Sequence, residues 1–151
     1  MAGNHMEHRT STLEQVFRSP PAKVFNAWSD LELRQKWNSP SEDIEIEMHQ
    51  ADFSEGGKDV AICMYEGHAV AEVIAIYHEI VEDSRIIFTE AISSEGAKQG
   101  ASLVSVAFLP ENTGTRLVVT LQTVAVDGSE LLDEVLIGWK EAFVRMVRLV
   151  P

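Results

Sequence analysis

Glu90 is the polar residue whose surroundings in the sequence point most directly to chemistry. It follows Ile86 and Phe88 at two-residue spacing, so in a β-strand its side chain would share a face with those apolar groups. A carboxyl group buried there needs a basic partner or a raised pKa, which is one way in which functional acids arise. The other register points Ile87 and Ala91 inward and leaves Glu90 in solvent. The sequence leaves both orientations open.

Tyr77 and His78 are further candidates for polar groups at the wall of a cavity. They lie next to each other in a β-rich run, followed by Glu79. Either side chain could transfer a proton to a bound molecule, whereas a solvated strand histidine is the simpler interpretation of His78. No catalytic residue is assigned, because these groups form no recognisable catalytic constellation with the rest of the sequence.

The sequence predicts no metal site and no cofactor. Its five histidines show no H-E-x-x-H or similar ligand spacing, and its single cysteine, Cys63, lies inside a strand-like run. Cys63 is therefore predicted to be an unreactive structural thiol. The pair Gly56-Gly57 is interpreted as a hairpin turn, because no phosphate-binding loop or nucleophile elbow surrounds it.

The charge of the chain argues against two classes of partner. Twelve basic and twenty-four acidic residues give a formal net charge of −12. A surface this negative repels phosphate backbones and anionic lipid headgroups, so we expect neither nucleic acid nor membrane as a partner. The apolar runs are strand-length and the polar start has no signal-peptide core, which predicts a cytoplasmic location.

Alternating hydrophobicity predicts that most of the chain is antiparallel β-sheet. In the segment 43–48, three acids alternate with Ile44, Ile46 and Met48, as expected for a strand with one buried face. Val60 and Met64 share one face of a later run, and turn-forming residues separate the others. The predicted runs are 14–17, 43–48, 58–65, 69–81, 85–93, 101–109 and 115–126. They amount to six or seven strands in a meander.

Two short helices and one long helix complete the predicted elements. Ser19-Pro20-Pro21 suits the start of the first helix, and Ser29-Asp30-Leu31-Glu32 resembles a capping box for the second. After Asp127-Gly128 the hydrophobic period becomes 3.6. The apolar stripe of this last helix is Leu132, Val135, Leu136, Trp139, Phe143, Met146, Val147 and Val150. A helix of this kind must bury its stripe, and the concave face of the sheet is the large apolar surface available.

The length of 151 residues suits a single domain. We assign residues 10–151 to this domain. The start Gly3-Asn4-His5-Met6 resembles a remnant of recombinant expression, so residues 1–9 are predicted to be an N-terminal tail. The predicted fold class is α+β, with a curved antiparallel sheet around the C-terminal helix.

Successive short motifs resemble one family of known fold. They are Ser19-Pro20-Pro21-Ala22-Lys23-Val24-Phe25-Asn26-Ala27-Trp28, Lys36-Trp37, Gly56-Gly57-Lys58, Tyr77-His78-Glu79-Ile80-Val81, Arg85-Ile86-Ile87-Phe88-Thr89, Gly114-Thr115-Arg116-Leu117 and Gly138-Trp139. Their order, from about Thr10 to Val150, resembles the family similar to the C-terminal domain of the activator of heat-shock-protein-90 ATPase. This family is a branch of the START and birch-pollen-allergen superfamily, and the resemblance implies its helix-grip fold.

In a helix-grip fold the sheet encloses the helix incompletely, so some side chains line a cavity suited to small ligands. The residues predicted to face this cavity are Trp37, Met48, Met64, Tyr77, His78, Phe88, Glu90, Phe108, Trp139 and Phe143. The alternative is that the large apolar side chains fill a dry core.

Three functions are compatible with this sequence. The first is binding of a small hydrophobic or amphipathic ligand between the sheet and the last helix, without catalysis. The second is an enzyme resembling polyketide cyclases or dehydratases, with Glu90, His78 or Tyr77 moving protons. The third is a protein-interaction role like that of a chaperone activator, which rests on family analogy alone. The resemblance also raises homodimerisation through an exposed strand edge or helix face.

Overall fold

The computed structural model describes residues 5–151 as one seven-stranded sheet and three helices. The elements in chain order are β1 (Met6–Phe17), α1 (Pro21–Ser29), α2 (Leu31–Trp37), β2 (Ile44–Gln50), β3 (Lys58–Tyr65), β4 (His68–Val81), β5 (Arg85–Ser94), β6 (Ala97–Glu111), β7 (Gly114–Val126) and α3 (Leu131–Leu149).

The sheet is a meander whose first strand lies beside its last. All pairings are antiparallel and the strand order is β1-β7-β6-β5-β4-β3-β2. The sheet curves around α3, which confirms the predicted α+β helix-grip fold. Within residues 5–151, no helix is long and apolar enough to cross a membrane.

Tight turns join the central strands. Glu66 and Gly67 connect β3 to β4, and Glu95 and Gly96 connect β5 to β6, each with φ between 49° and 80°. Two positive φ values in succession match the twist of the flanking strands. Residues 94–100, which the predicted strands 85–93 and 101–109 left outside the sheet, mostly pair as the end of a long hairpin.

The first strand begins earlier than the sequence suggested. Met6 pairs with Val126 and Arg9 pairs with Thr123 at the start of β1. Residues 6–9 of the predicted tail thus lie in the sheet, while residues 1–4 lie outside the described part of the chain.

The helices α1 and α2 close one end of the space between the sheet and α3. Pro21 occupies the first turn of α1, and the Asp30 carboxyl accepts a hydrogen bond from the Leu33 amide at 3.3 Å to cap α2. Trp37 at the end of α2 is fully buried, and its indole Nε1 donates to the Ala27 carbonyl at 2.8 Å. These contacts bring the two tryptophans of α1 and α2 together.

The long helix α3 buries one face against the sheet and the short helices. Its buried residues are Leu131, Trp139, Ala142, Phe143 and Met146. Trp139 stacks on Trp28 with a centroid separation of 6.2 Å, and Trp28 meets Phe108 edge to face at 5.5 Å. The aromatic core therefore lies beside the second half of α3, and Trp139 marks its boundary.

Candidate functional site

A cavity of about 200 Å³ lies on the other side of Trp139, between the first half of α3 and strands β2 to β5. The rim of this cavity is polar. It includes Asn38, Ser39 and Pro40, which follow α2, and Glu134 on the exposed side of α3.

Small and medium-sized side chains form the sheet wall of the cavity. They are Ile46, Ala61, Cys63, Ala71, Val73 and Ile92, and Glu90 lies among them. The strand register explains this grouping, because Ala61 pairs with Val73 and Cys63 pairs with Ala71. Four neighbouring positions thus present little volume toward the helix, which leaves space beneath it.

The helix wall consists of Leu131, Val135, Gly138, Trp139 and Ala142. Gly100 on β6 allows the start of this wall to approach the sheet. A Cβ atom at Gly100 would lie 1.9 Å from the Val124 carbonyl oxygen and 2.8 Å from Leu131 Cδ2. Only glycine therefore fits where the chain brings Leu131 down onto β6.

Glu90 lies on β5 in the wall of the cavity. Of the two orientations that the sequence left open, the structure has the one in which Glu90 points inward with Ile86 and Phe88. Within residues 5–151, its carboxyl group has no hydrogen-bond or ion-pair partner. Burial, with a smaller contribution from the charge of Asp59, raises the pKa of Glu90 from 4.5 to about 7. The site therefore holds an unpaired carboxyl that changes its charge close to neutral pH.

The polar neighbours of Glu90 are engaged elsewhere. Glu90 pairs in register with Ala75 on one side and with Ser102 on the other. The hydroxyl of Ser102 is hydrogen-bonded to that of Thr123 at 2.8 Å. Ala75 is too small to interact with the carboxyl, so Glu90 has an apolar neighbour on β4 and an occupied hydroxyl on β6.

Asp59, one strand beyond Ala75, shows the opposite environment. Arg34 Nη1 lies 3.1 Å from Asp59 Oδ2 and donates to the Tyr77 hydroxyl. The Tyr77 hydroxyl donates to Asp59, and the backbone N–H of Asp52 donates to the other carboxylate oxygen at 3.0 Å. Burial raises the pKa of Tyr77, so its phenol stays protonated and keeps donating. This network is closed and leaves no charge for a ligand.

Cys63 contributes a thiol to the cavity wall. Burial raises the pKa of Cys63, and the nearby charge of Glu90 adds to the effect. The thiol therefore stays protonated and poorly nucleophilic, in keeping with the prediction of a structural cysteine.

The ten residues predicted to face the cavity fall into three groups. Glu90 and Trp139 line it. Trp37, Tyr77, Phe88, Phe108 and Phe143 are buried in the packed core, and Met48 is half-buried opposite Ala61. Met64 and His78 lie on the convex face of the sheet.

Strand alternation explains the positions of Met64 and His78. On β3 the inward positions belong to Asp59, Ala61 and Cys63, so Met64 must point outward. On β4 Tyr77 points inward, and His78 is exposed with Nε2 3.0 Å from Thr89 Oγ1. Neither side chain can contribute to the cavity.

The sequence analysis missed the small residues and the Arg34 network. It selected large apolar side chains, whereas large side chains fill space and small ones leave it. A usable signal was present on β3 and β4, where Ala61, Cys63, Ala71 and Ala75 occur at alternating positions. Arg34 had no sequence signal, because its partners are more than twenty residues away.

The donor groups present do not form a metal site. Among residues 5–151, no group of three or more His, Cys, Asp or Glu side chains could hold a metal ion. Glu90 is a single carboxyl in an apolar wall, and one ligand of this kind does not provide a coordination shell.

Solved structures support the fold over its whole length. The Mll3558 protein from Rhizobium loti is 27% identical with a TM-score of 0.86, and the match covers 96% of this chain and 99% of that one. A putative uncharacterized protein from Rhizobium leguminosarum is 28% identical with a TM-score of 0.81, covering 95% and 97%. Ara h 8.0201, at 16% identity and a TM-score of 0.72 with coverage of 95% and 97%, shares the fold alone.

The family assignment rests on the sequence of the domain itself. No curated protein matches the chain. A family model described as "Activator of Hsp90 ATPase homolog 1-like protein" matches residues 18–150, which is nearly the entire helix-grip domain. The resemblance noted in the motifs is thereby confirmed, and the chain belongs to the activator of Hsp90 ATPase homolog 1-like family.

Proposed function

We propose that this protein binds a small apolar molecule in the cavity between α3 and strands β2 to β5. The observation that carries the proposal is the cavity of about 200 Å³, which the packed core leaves unfilled. An apolar cavity of about 150 Å³ is known to bind benzene. The space here suits one aromatic ring with a short substituent.

The composition of the walls supports a binding role. Unfilled space in a protein interior costs dispersion contacts and therefore stability. In this chain the space is bounded by small residues on both sides, with Ala61 and Ala71 on the sheet and Gly138 and Ala142 on the helix. Mostly apolar walls with a few polar groups are typical of small-molecule sites.

Proton transfer to or from the bound molecule is a second candidate function. It is favoured by Glu90, whose pKa of about 7 suits a group that both accepts and donates protons near neutral pH. Tyr77 is engaged with Asp59 and His78 lies on the convex face, so Glu90 is the remaining member of the predicted trio. Catalysis of this kind would be lost in Glu90→Gln while binding of a neutral molecule is retained.

The test of binding is a titration with toluene followed by ¹H–¹⁵N NMR. We expect the indole N–H of Trp139 and the amides of Gly138 and Ala142 to shift in a saturable manner. Ala71→Leu, which places a larger side chain in the cavity, should weaken toluene binding at least tenfold.

Ala69→Leu is the matched control for this experiment. It makes the same change on the same strand at an exposed position that pairs with Met64, outside the cavity. Toluene binding should be unchanged in this variant. An absence of saturable shifts up to the solubility limit of toluene, or equal binding by both variants, would contradict the proposal.

A further inference from the structure

We propose that the natural ligand is a small apolar amine, bound as an ammonium ion with Glu90 as its counter-ion. This inference rests on the proposed function and specifies the chemical class of its ligand. It arises from the charges around the cavity.

Among residues 5–151, the cavity has carboxyl groups and no base in its lining. Glu90 lies in its wall and Glu134 at its rim, and none of the described residues around it is Lys, Arg or His. The buried guanidinium of Arg34 is held by Asp59 and Tyr77, and that of Arg145 on α3 donates to the Trp37 carbonyl and does not line the cavity. A ligand with a positive charge would therefore supply the ion-pair partner that Glu90 lacks among the described residues.

The energetic cost of the unpaired Glu90 carboxylate determines which ligands the cavity should prefer. A buried charge is expensive unless an opposite charge and hydrogen bonds offset it. An ammonium group donates charge-assisted hydrogen bonds to a carboxylate, a neutral alcohol donates one weaker bond, and a carboxylate ligand adds like-charge repulsion. We therefore expect the affinity to fall from amine to alcohol to acid.

Two other features favour a cation. Trp139 lines the same cavity, and the face of an indole attracts ammonium groups. The net charge of −12 attracts cations toward the protein and repels anions. Both effects act in the same direction as Glu90.

The experiment compares three probes of nearly equal size, 2-phenylethylamine, 2-phenylethanol and phenylacetate, by calorimetry at pH 7.5. The amine should bind at least tenfold more tightly than the alcohol, and phenylacetate should bind most weakly. Glu90→Gln should remove the difference between amine and alcohol. Glu72→Gln, an exposed change on β4 away from the cavity, should preserve it.

Proton release provides a readout that a structural role of Glu90 would not produce. Near pH 6.5, binding of the amine should release protons as Glu90 ionises, and the measured heat should depend on the buffer. Glu90→Gln should abolish this dependence. The other titratable or charged groups near Glu90 are Asp59 and Cys63 on β3, Tyr77 on β4 and Glu134 at the rim. Arg34 on α2 pairs with Asp59, and Arg145 on α3 donates to the Trp37 carbonyl.

The outcomes separate the two proposals. If the alcohol binds as tightly as the amine, or phenylacetate binds best, the amine inference fails while binding of apolar molecules stands. If toluene does not bind, the proposed function fails, and the amine inference, which rests on it, fails with it. Amine binding that survives Glu90→Gln unchanged would also overturn the inference, because the counter-ion would then lie elsewhere.

Discussion

The two ends of the space beneath α3 differ in packing and in the state of their carboxyl groups. At the end closed by α1 and α2, tryptophan and phenylalanine rings fill the gap, and Asp59 has an arginine, a phenol and a backbone amide as partners. At the other end, small side chains leave a cavity, and Glu90 has no hydrogen-bond or ion-pair partner in the described part of the chain. Trp139 separates the two ends.

This difference indicates that one end of the core stabilises the fold and the other end serves binding. At the closed end the aromatic rings pack closely and the Asp59 carboxylate has three partners, as expected of a region that stabilises the fold. The open end lacks both close packing and a partner for its carboxyl group among the described residues. Glu90 and the small residues there therefore stabilise the fold less than larger apolar side chains would. Sites that depart from the rules for stable packing are where function is expected.

The largest expected effect comes from breaking the network at the closed end. Arg34→Met removes the guanidinium and leaves Asp59 buried with an uncompensated charge. We expect a loss of about 3–5 kcal/mol in the free energy of unfolding, measured by urea denaturation. Arg116→Met is the control, because Arg116 pairs with Glu14 in an exposed ion pair at 2.6 Å and should cost about 1 kcal/mol or less. Equal losses would show that the closed end is not the stabilising one.

At the open end, Glu90 should make the protein less stable as the pH rises. The folded-state pKa of about 7 lies above the ordinary 4.5, so the folded protein binds a proton that the unfolded chain has lost between these values. The stability that the protonated Glu90 contributes is complete below pH 4.5 and is lost between pH 4.5 and about pH 7, by roughly 3 kcal/mol in total.

Glu90→Gln tests this slope directly, since an amide does not titrate. The unfolding free energy of this variant, measured from pH 4.5 to 8, should lack the decline attributed to Glu90. Glu72→Gln, which changes an exposed carboxyl, should retain it. A decline that persists in Glu90→Gln would assign the effect to another group.

A matched pair of valines compares the packing of the two ends. Val104 is fully buried in the packed core, whereas Val73 is half-buried at the cavity wall. Val104→Ala should cost about 2 kcal/mol or more, because the lost methyl groups leave a new void. Val73→Ala should cost about half as much, since one side of its side chain already lacks contacts. Thermal unfolding of both variants measures the difference, and a larger cost at Val73 would contradict the comparison.

The sequence predicted the fold far better than the site. Alternation along the strands and the stripe of α3 are periodic signals, so they determined the sheet, the helix and the inward orientation of residues such as Trp139 and Phe143. Glu90 was found because a charged residue interrupts an apolar face. The cavity depends instead on side-chain volume, because it exists where the small residues Ala61, Ala71 and Gly138 lie opposite one another. Predicting this requires the register of β3 with β4 and the position of α3 over the sheet, and the periodicity of a single sequence specifies neither.

The smallest expected effect concerns Gly138, which lies in the middle of α3 at the cavity wall. A Cβ atom there would lie 3.6 Å from Pro40 Cβ, an ordinary contact. Gly138→Ala should therefore stabilise the protein by about 0.5–1 kcal/mol through helix propensity, measured as a rise in the unfolding free energy. Gly100→Ala is the contrasting variant, because its new methyl would collide with the Val124 carbonyl and should destabilise the protein.

A stabilising Gly138→Ala would mean that glycine is not needed at this position for folding, which favours a role in keeping the cavity open. A loss of stability would mean instead that α3 lies too close to Pro40 for any side chain, and Gly138 would then be needed for close packing at the rim of the cavity and not for the space inside it.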